Sequence, residues 1–171
     1  MIRQLVADAI ATERLALEPL EPRHAAEMLP VLAALELYAF TGGEPPTAEA
    51  LLRRYEVQAR GHSADGSERW LNWILRLRET DAVVGFVQAT VTESAAGPSA
   101  DIAWLVAPAH QGAGLAGEAA AVMVAWLSDH GIAALRACIH PDHRASARVA
   151  ERLGLAPTDE IDDGEVVWVA R

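Results

Sequence analysis

The chain predicts a single α/β (α+β) domain built on a mixed, mostly antiparallel sheet of about seven strands, flanked by about four helices. Three observations predict it. Residues 70–78 alternate, with Leu71, Trp73, Leu75 and Leu77 on one face against Asn72, Arg76 and Arg78, and two more strand-like runs at 82–92 and 100–106 follow short polar turns. That pattern is an antiparallel meander. Next, the run Ile102 to Val106 leads through a glycine-rich turn into a helical pattern, and an apolar stretch at 133–140 comes after it. A strand reached through a helical crossover lies parallel to the strand it left. Last, 155–161 and 165–170 read as a hairpin turning at Asp162-Asp163-Gly164.

The elements are justified in order. Leu15, Leu17 and Leu20 alternate with polar residues as a first strand. Residues 22–37 read as one helix, with Ala25, Met28, Leu29, Leu32 and Leu35 on one side. Thr41-Gly42-Gly43-Glu44-Pro45-Pro46 is a loop, and Thr47 is placed to N-cap a helix reaching about Arg60. After the meander, a helix at 113–130 carries Leu115, Ala119, Val122 and Trp126 at helical spacing and stops at Gly131. A final helix at 144–153 stops at Gly154. No internal repeat or linker divides the 171 residues.

The net charge is −10, and every basic side chain apart from histidine is an arginine. An acidic balance argues against nucleic acid as a partner, which requires basic patches. It suits a cationic substrate such as an amine, and equally suits plain solubility. No apolar run is long enough to span a membrane, and residues 1–10 lack a signal-like core. With a single cysteine, Cys138, these features lead to the expectation of a cytoplasmic protein without membrane association or intrachain disulfides.

The segment His110-Gln111-Gly112-Ala113-Gly114-Leu115-Ala116-Gly117 carries the most chemistry. The first N–H groups of a helix have no intrahelical acceptor, and the dipole adds positive potential there. Glycines before such a helix let a phosphate approach the backbone. The bland alternative is a small-residue turn packing a helix against a sheet. No Lys-Ser/Thr follows, so it is not a P-loop. Its place after a meander, with no acidic residue ending the next strand, does not fit a dinucleotide fingerprint.

The ordered motifs narrow this. Gln111-Gly112-Ala113-Gly114-Leu115-Ala116 resembles the Q/R-x-x-G-x-G/A segment of the GCN5-related N-acetyltransferases (GNAT). Ile139-His140-Pro141-Asp142-His143-Arg144-Ala145-Ser146 resembles that family's strand–N-x-x-S–helix segment, and Glu151-Arg152-Leu153-Gly154-Leu155 its helix end. Thr12-Glu13-Arg14-Leu15 and Val84-Gly85-Phe86-Val87 resemble the branch that acetylates ribosomal proteins. The resemblance spans nearly the whole chain. It implies the GNAT fold, splayed between its fourth and fifth strands, here 100–106 and 133–140. It implies acetyl-CoA or another acyl-CoA as co-substrate, no metal, a small-molecule or protein amine as acceptor, and a homodimer as a family habit. The pyrophosphate would sit on backbone amides of Gln111, Gly112, Ala113, Gly114, Leu115 and Ala116, and pantetheine beside Leu105 and Val106. His143 stands where the family usually has Asn; it either bonds the cofactor or is an exposed loop residue. Arg144 or Arg148 is a candidate partner for the 3′-phosphate of CoA, set against a solvated helix face for the stripe that they form with Arg152.

Acetyl transfer to nitrogen needs a neutral amine, and a lysine-type amine is neutral in only about one molecule in 2,000 at pH 7. The departing thiolate also needs a proton donor. By resemblance, Ser146 is the candidate acid, against a plain helix-capping role. Asp101, sharing a face with Ala103 and Leu105, is the candidate base and Glu93 the alternative; both also suit solvated strand ends. Neither tyrosine, Tyr38 or Tyr55, aligns with the tyrosine acid of other branches. Tyr38 and Glu44, in the loop region after the first helix, and Trp73 or Trp104 are candidate acceptor contacts. His140, Asp142 and His143 cluster without a distant further ligand, which argues against a metal. Cys138 reads as buried core. A non-catalytic acyl-CoA-binding regulator is the rival reading from another class.

Overall fold

The computed structural model describes residues 2–170. Among these residues eight strands form one sheet: β1 Ile10–Ala11, β2 Leu15–Pro19, β3 Glu68–Leu77, β4 Val83–Ser94, β5 Gly97–Val106, β6 Ala134–Ile139, β7 Leu155–Asp162 and β8 Glu165–Ala170. Their order across the sheet is β1-β2-β3-β4-β5-β6-β8-β7, and β5–β6 is the one parallel neighbour pair. Four α-helices, α1 His24–Leu32, α2 Ala48–Gln58, α3 Leu115–Asp129 and α4 Arg144–Arg152, flank it. The expected meander, crossover and hairpin are all present. The eighth strand is the two-residue β1, too short to leave an alternation in the sequence.

Period-two burial assigns the two faces. Leu71, Trp73 and Leu75 of β3, Val87, Ala89 and Val91 of β4, and Ile102 and Val106 of β5 form one buried face. Ala119, Met123 and Leu127 of α3 join them in the main core. The opposite face is covered at one end only. There Ala25, Met28 and Leu32 of α1 and Leu51 and Tyr55 of α2 pack around Ile74, with Phe86 and Leu105 against them. At the other end the same face shows Trp70 and Asn72, Thr90 and Gln88, and Asp101 and Ala103, aligned by register across three strands.

The helix predicted over 22–37 ends early. Ala34 turns to an extended conformation, and a 3₁₀ turn at Leu35–Tyr38 follows. The Tyr38 hydroxyl donates to the Leu32 carbonyl at 2.8 Å, satisfying a carbonyl that a continuing helix would have paired. Leu35, expected on the apolar face, is 73% exposed. Thr47 does cap α2, its side chain accepting from the Ala50 N–H.

A polar network anchors α1 to the sheet. His24, fully buried, faces Glu18 through Nε2 at 2.9 Å and accepts at Nδ1 from the Glu21 N–H. Arg76 donates to Glu18 and pairs with Glu27. The Arg76 hydrogen bond, with help from His24, holds Glu18 down at about 2 although partial burial opposes it. No described helix is long and apolar enough to cross a membrane.

Candidate active site

The strands β5 and β6 pair only where they begin, Ser99 with Ala134, Ala100 with Leu135 and Asp101 with Arg136. Beyond that they diverge, and β6 pairs instead with β8. The fork opens a cleft of about 730 Å³, within the range of small-molecule sites, lined from both faces of the sheet because it passes between strands. Asp101 through Val106 form one wall and Arg136 through His140 the other.

The turn at 111–117 lies at the open end of the fork, beyond Val106. Gly112 and Gly114 hold φ of +80° and +79°, and a Cβ on Gly112 would meet nothing within 4 Å, so its surface is bare backbone. The first helical N–H to find a carbonyl is that of Glu118, bonded to Gly114. The N–H groups of Leu115, Ala116 and Gly117 therefore lack intrahelical acceptors, at the positive end of a 15-residue helix. The turn is held from behind. Arg14 donates to the Ala113 carbonyl at 2.8 Å and to the Glu118 carboxylate at 2.7 Å, and Thr12 donates to Glu118 at 2.5 Å. From the cleft side, Gln111 Nε2 donates to the Val106 carbonyl at 2.9 Å.

α4 starts on the far wall. The His143 Nδ1 accepts from the Ser146 N–H at 3.4 Å, so the imidazole N-caps the helix and its proton sits on Nε2. Phe40 stacks on that ring at 4.4 Å and touches His140 at 5.4 Å. Burial, and secondarily the charge of His140, lowers the pKa of His143, which keeps it neutral near pH 7. The Ser146, Arg148 and Arg152 side chains face the cleft.

Residues 14–156 match the family model described as an acetyltransferase (GNAT) domain. The chain belongs to the GNAT acetyltransferase family. The solved structures it resembles include a Bordetella pertussis protein described as a GNAT-family acetyltransferase, at 25% identity and TM-score 0.69, covering 95% of this chain and 97% of that one. RimL, the ribosomal L7/L12 α-N-protein acetyltransferase in complex with coenzyme A, aligns at 14% identity and TM-score 0.76, covering 96% and 97%. MccE, the microcin C7 self-immunity acetyltransferase in complex with acetyl-CoA and AMP, aligns at 14% and 0.74, covering 92% of each chain. At 14% identity these two likenesses establish the fold. No curated protein sequence matches the chain significantly.

Within this GNAT domain the structure gathers Asp101, Leu105, Val106, Gln111, Gly112, Gly114, Leu115, Ala116, His143, Ser146 and Arg148 around one cleft. Ala113 lies behind the turn, its carbonyl taken by Arg14. Four expectations are corrected. Trp73 is fully buried under α3, its indole edge-on to Trp126 and donating to the Asp8 carbonyl, so it touches no acceptor; Trp104 lines the cleft instead. Glu93 sits at the β4–β5 hairpin opposite Pro98, on the face of Val91 and outside the cleft lining. Tyr38 spends its hydroxyl on Leu32, and Glu44 lies outside the lining; Glu36, Leu37, Phe40 and Thr41 are the loop residues that reach it. Cys138, expected in the core, is half-buried on the β6 wall, and desolvation raises its pKa.

Asp101 is engaged as well as exposed. Arg136 donates to it at 2.9 Å and to Asp162 at 2.6 Å, a bridge across the apex of the fork. Sequence reasoning missed Phe40 and Glu36, and favoured Arg144 alongside Arg148 where Arg148 and Arg152 line the cleft. The i, i+4 stripe held the clue: Arg152 lies one turn beyond Arg148, and its guanidinium approaches Gly117. Among the described residues no group of three or more His, Cys, Asp or Glu side chains is arranged to hold a metal.

Proposed function

We propose that this domain transfers an acetyl group from acetyl-CoA to a primary amine by direct attack, without a covalent enzyme intermediate. The observation that supports it most is the fork between β5 and β6 opening beside a bare glycine turn with free helix N–H groups. A pyrophosphate needs several converging N–H donors and no side chains in its way, and the 111–117 turn offers both. Arg148 and Arg152 add cationic partners suited to the 3′-phosphate. The unpaired β5 edge from Ala103 to Val106 offers backbone groups to the pantetheine amides.

Acetyl-CoA supplies an activated acetyl group as a thioester. The chain's own residues position and protonate. The acceptor nitrogen attacks the carbonyl carbon, the C–N bond forms as the C–S bond breaks, and the sulfur leaves with the electron pair. Ser146, in the first turn of α4 on the cleft wall, passes its hydroxyl proton to that sulfur and regains one from water in the same step. The amine's own proton passes to water, and the Asp101 carboxylate on the cleft wall offers the incoming ammonium a counter-charge. An α-amine, whose ordinary pKa is about 7.7–8.0, needs little further help.

The test is thiol release from acetyl-CoA with an amine panel. Wild-type protein is expected to release CoA. Ser146→Ala should lower kcat about 10- to 100-fold with KM for acetyl-CoA unchanged, as expected for a lost general acid. Tight acetyl-CoA binding without CoA release for any amine would instead identify a regulatory acyl-CoA-binding module.

A further inference from the structure

A second groove, of about 540 Å³, lies on the uncovered half of the sheet face between α2 and strands β3 and β4. Arg53 and Arg54 of α2 form its rim and Trp70, Asn72, Gln88 and Thr90 its floor. Gln88 and Thr90 also line the fork cleft, so the two spaces share a wall and form one track. Cross-strand register fixes its direction. Arg136, Asp101, Thr90 and Trp70 stand in one row from β6 to β3, with Ala103, Gln88 and Asn72 beside it.

The two ends of the track differ in charge. At the fork Glu36, Asp101 and Glu165 line the cleft around Arg136, which bridges Asp101 to Asp162, while Arg148 and Arg152 lie on the α4 wall assigned above to the 3′-phosphate; carboxylates thus outnumber cations where the acceptor would enter. At the other end are two guanidiniums. Arg53 meets only the exposed Glu49, at 3.0 Å, and Arg54 has no ion-pair partner among the described residues. On a chain of net charge −10, a groove rimmed by two available arginines is a local reversal of sign. Between the ends, Trp70 has its indole N–H tied to Glu68, which leaves the ring as a fixed apolar surface beside Val57.

We infer that the acceptor is bipolar: an amine with a carboxylate or phosphate about 10 Å away, the amine at the fork and the anion on Arg53 and Arg54. The distance comes from two strand spacings of about 4.8 Å between β5 and β3. An extended peptide covers it in about three residues. An acidic peptide amino terminus and a small acidic amine share this chemistry. The inference rests on the amine-acetylation reading above.

The test compares kcat/KM for the amide-ended tetrapeptide Ser-Ala-Glu-Ala with its Glu-to-Ala and Glu-to-Lys counterparts, and for ε-aminocaproate with its amide. The acidic member of a pair is expected to lead its neutral partner by roughly three- to tenfold, the effect of one or two partly exposed charge pairs. A lead in the peptide pair alone identifies a peptide terminus; a lead in the caproate pair alone identifies a small acidic amine. The double variant Arg53→Glu/Arg54→Glu, on the exposed face of α2, should invert the peptide order to favour lysine with KM for acetyl-CoA unchanged. Acetylation of all acceptors without charge preference, or a preference that survives the double variant, overturns this inference and leaves amine acetylation standing. Acetyl-CoA binding with no amine acetylated overturns both.

Discussion

The fork cleft is walled by backbone along β5 and the 111–117 turn, and the groove beside it by side chains. Along β5 and the 111–117 turn, the groups that face the cavity are peptide N–H and C=O groups, bared by Gly112 and Gly114 and by the missing β6 partner. Across the sheet face, the groove is defined by Arg53, Arg54, Trp70 and Gln88, drawn from three elements. A backbone wall can serve only a ligand that is always the same, since no single substitution retunes it. A side-chain wall can be rewritten one residue at a time. A fixed donor and a variable acceptor match that division.

The sharpest way to break the comparison is to put a side chain where the backbone wall has none. A Cβ on Gly85 would lie 2.0 Å from the Leu105 carbonyl oxygen and 3.0 Å from Val106 Cα. Backbone cannot yield as a flexible side chain does. Gly85→Ala should therefore push β5 away from β4, costing roughly 3 kcal/mol by chemical denaturation and weakening acetyl-CoA binding together. Full stability would show that the strands have slack the geometry denies them.

Gly114→Glu separates binding from folding. Its Cβ would meet only the end of Arg14, at 3.7 Å, so the strain is that of a non-glycine residue at φ +79°, about 1–2 kcal/mol. The added carboxylate brings negative charge to a cleft-lining residue at the helix start, where it opposes a bound pyrophosphate. Acetyl-CoA affinity by calorimetry should fall about 100-fold or more while the fold persists. Near-normal binding would remove the turn from the donor site.

The same division explains what could be read from sequence. Backbone sites leave a local signature, because positive φ demands glycine and a helix start demands a turn. The 111–117 segment, the crossover and the α4 start were legible for that reason. The acceptor side was not. Trp73 and Trp70 are three residues apart in one alternating strand, and only the placement of α3 against one face decides that Trp73 is core and Trp70 is floor. Tyr38 and Glu44 sit in the right region, but the break at Ala34 turns Glu36 and Phe40 inward instead. Arg53 and Arg54 meet β3 and β4 through tertiary packing that no local pattern records.

His143 stands where the two kinds of wall meet: a side chain doing the work of backbone by capping α4. The cap requires an unprotonated Nδ1, which a stacked, partly buried ring favours. The folded-state pKa is lowered from 6.5, so above pH 6.5 the stabilisation is fully present. As pH falls through the folded pKa the proton binds, the cap is lost, and stability drops. Asparagine caps helices equally well and does not titrate. His143→Asn should thus match wild type near pH 7.5 and exceed it by about 1 kcal/mol in mild acid. Because every other residue is common to both proteins, the difference between the two stability–pH curves isolates position 143. Parallel curves would mean that Phe40 packing, not the cap, is what the imidazole contributes.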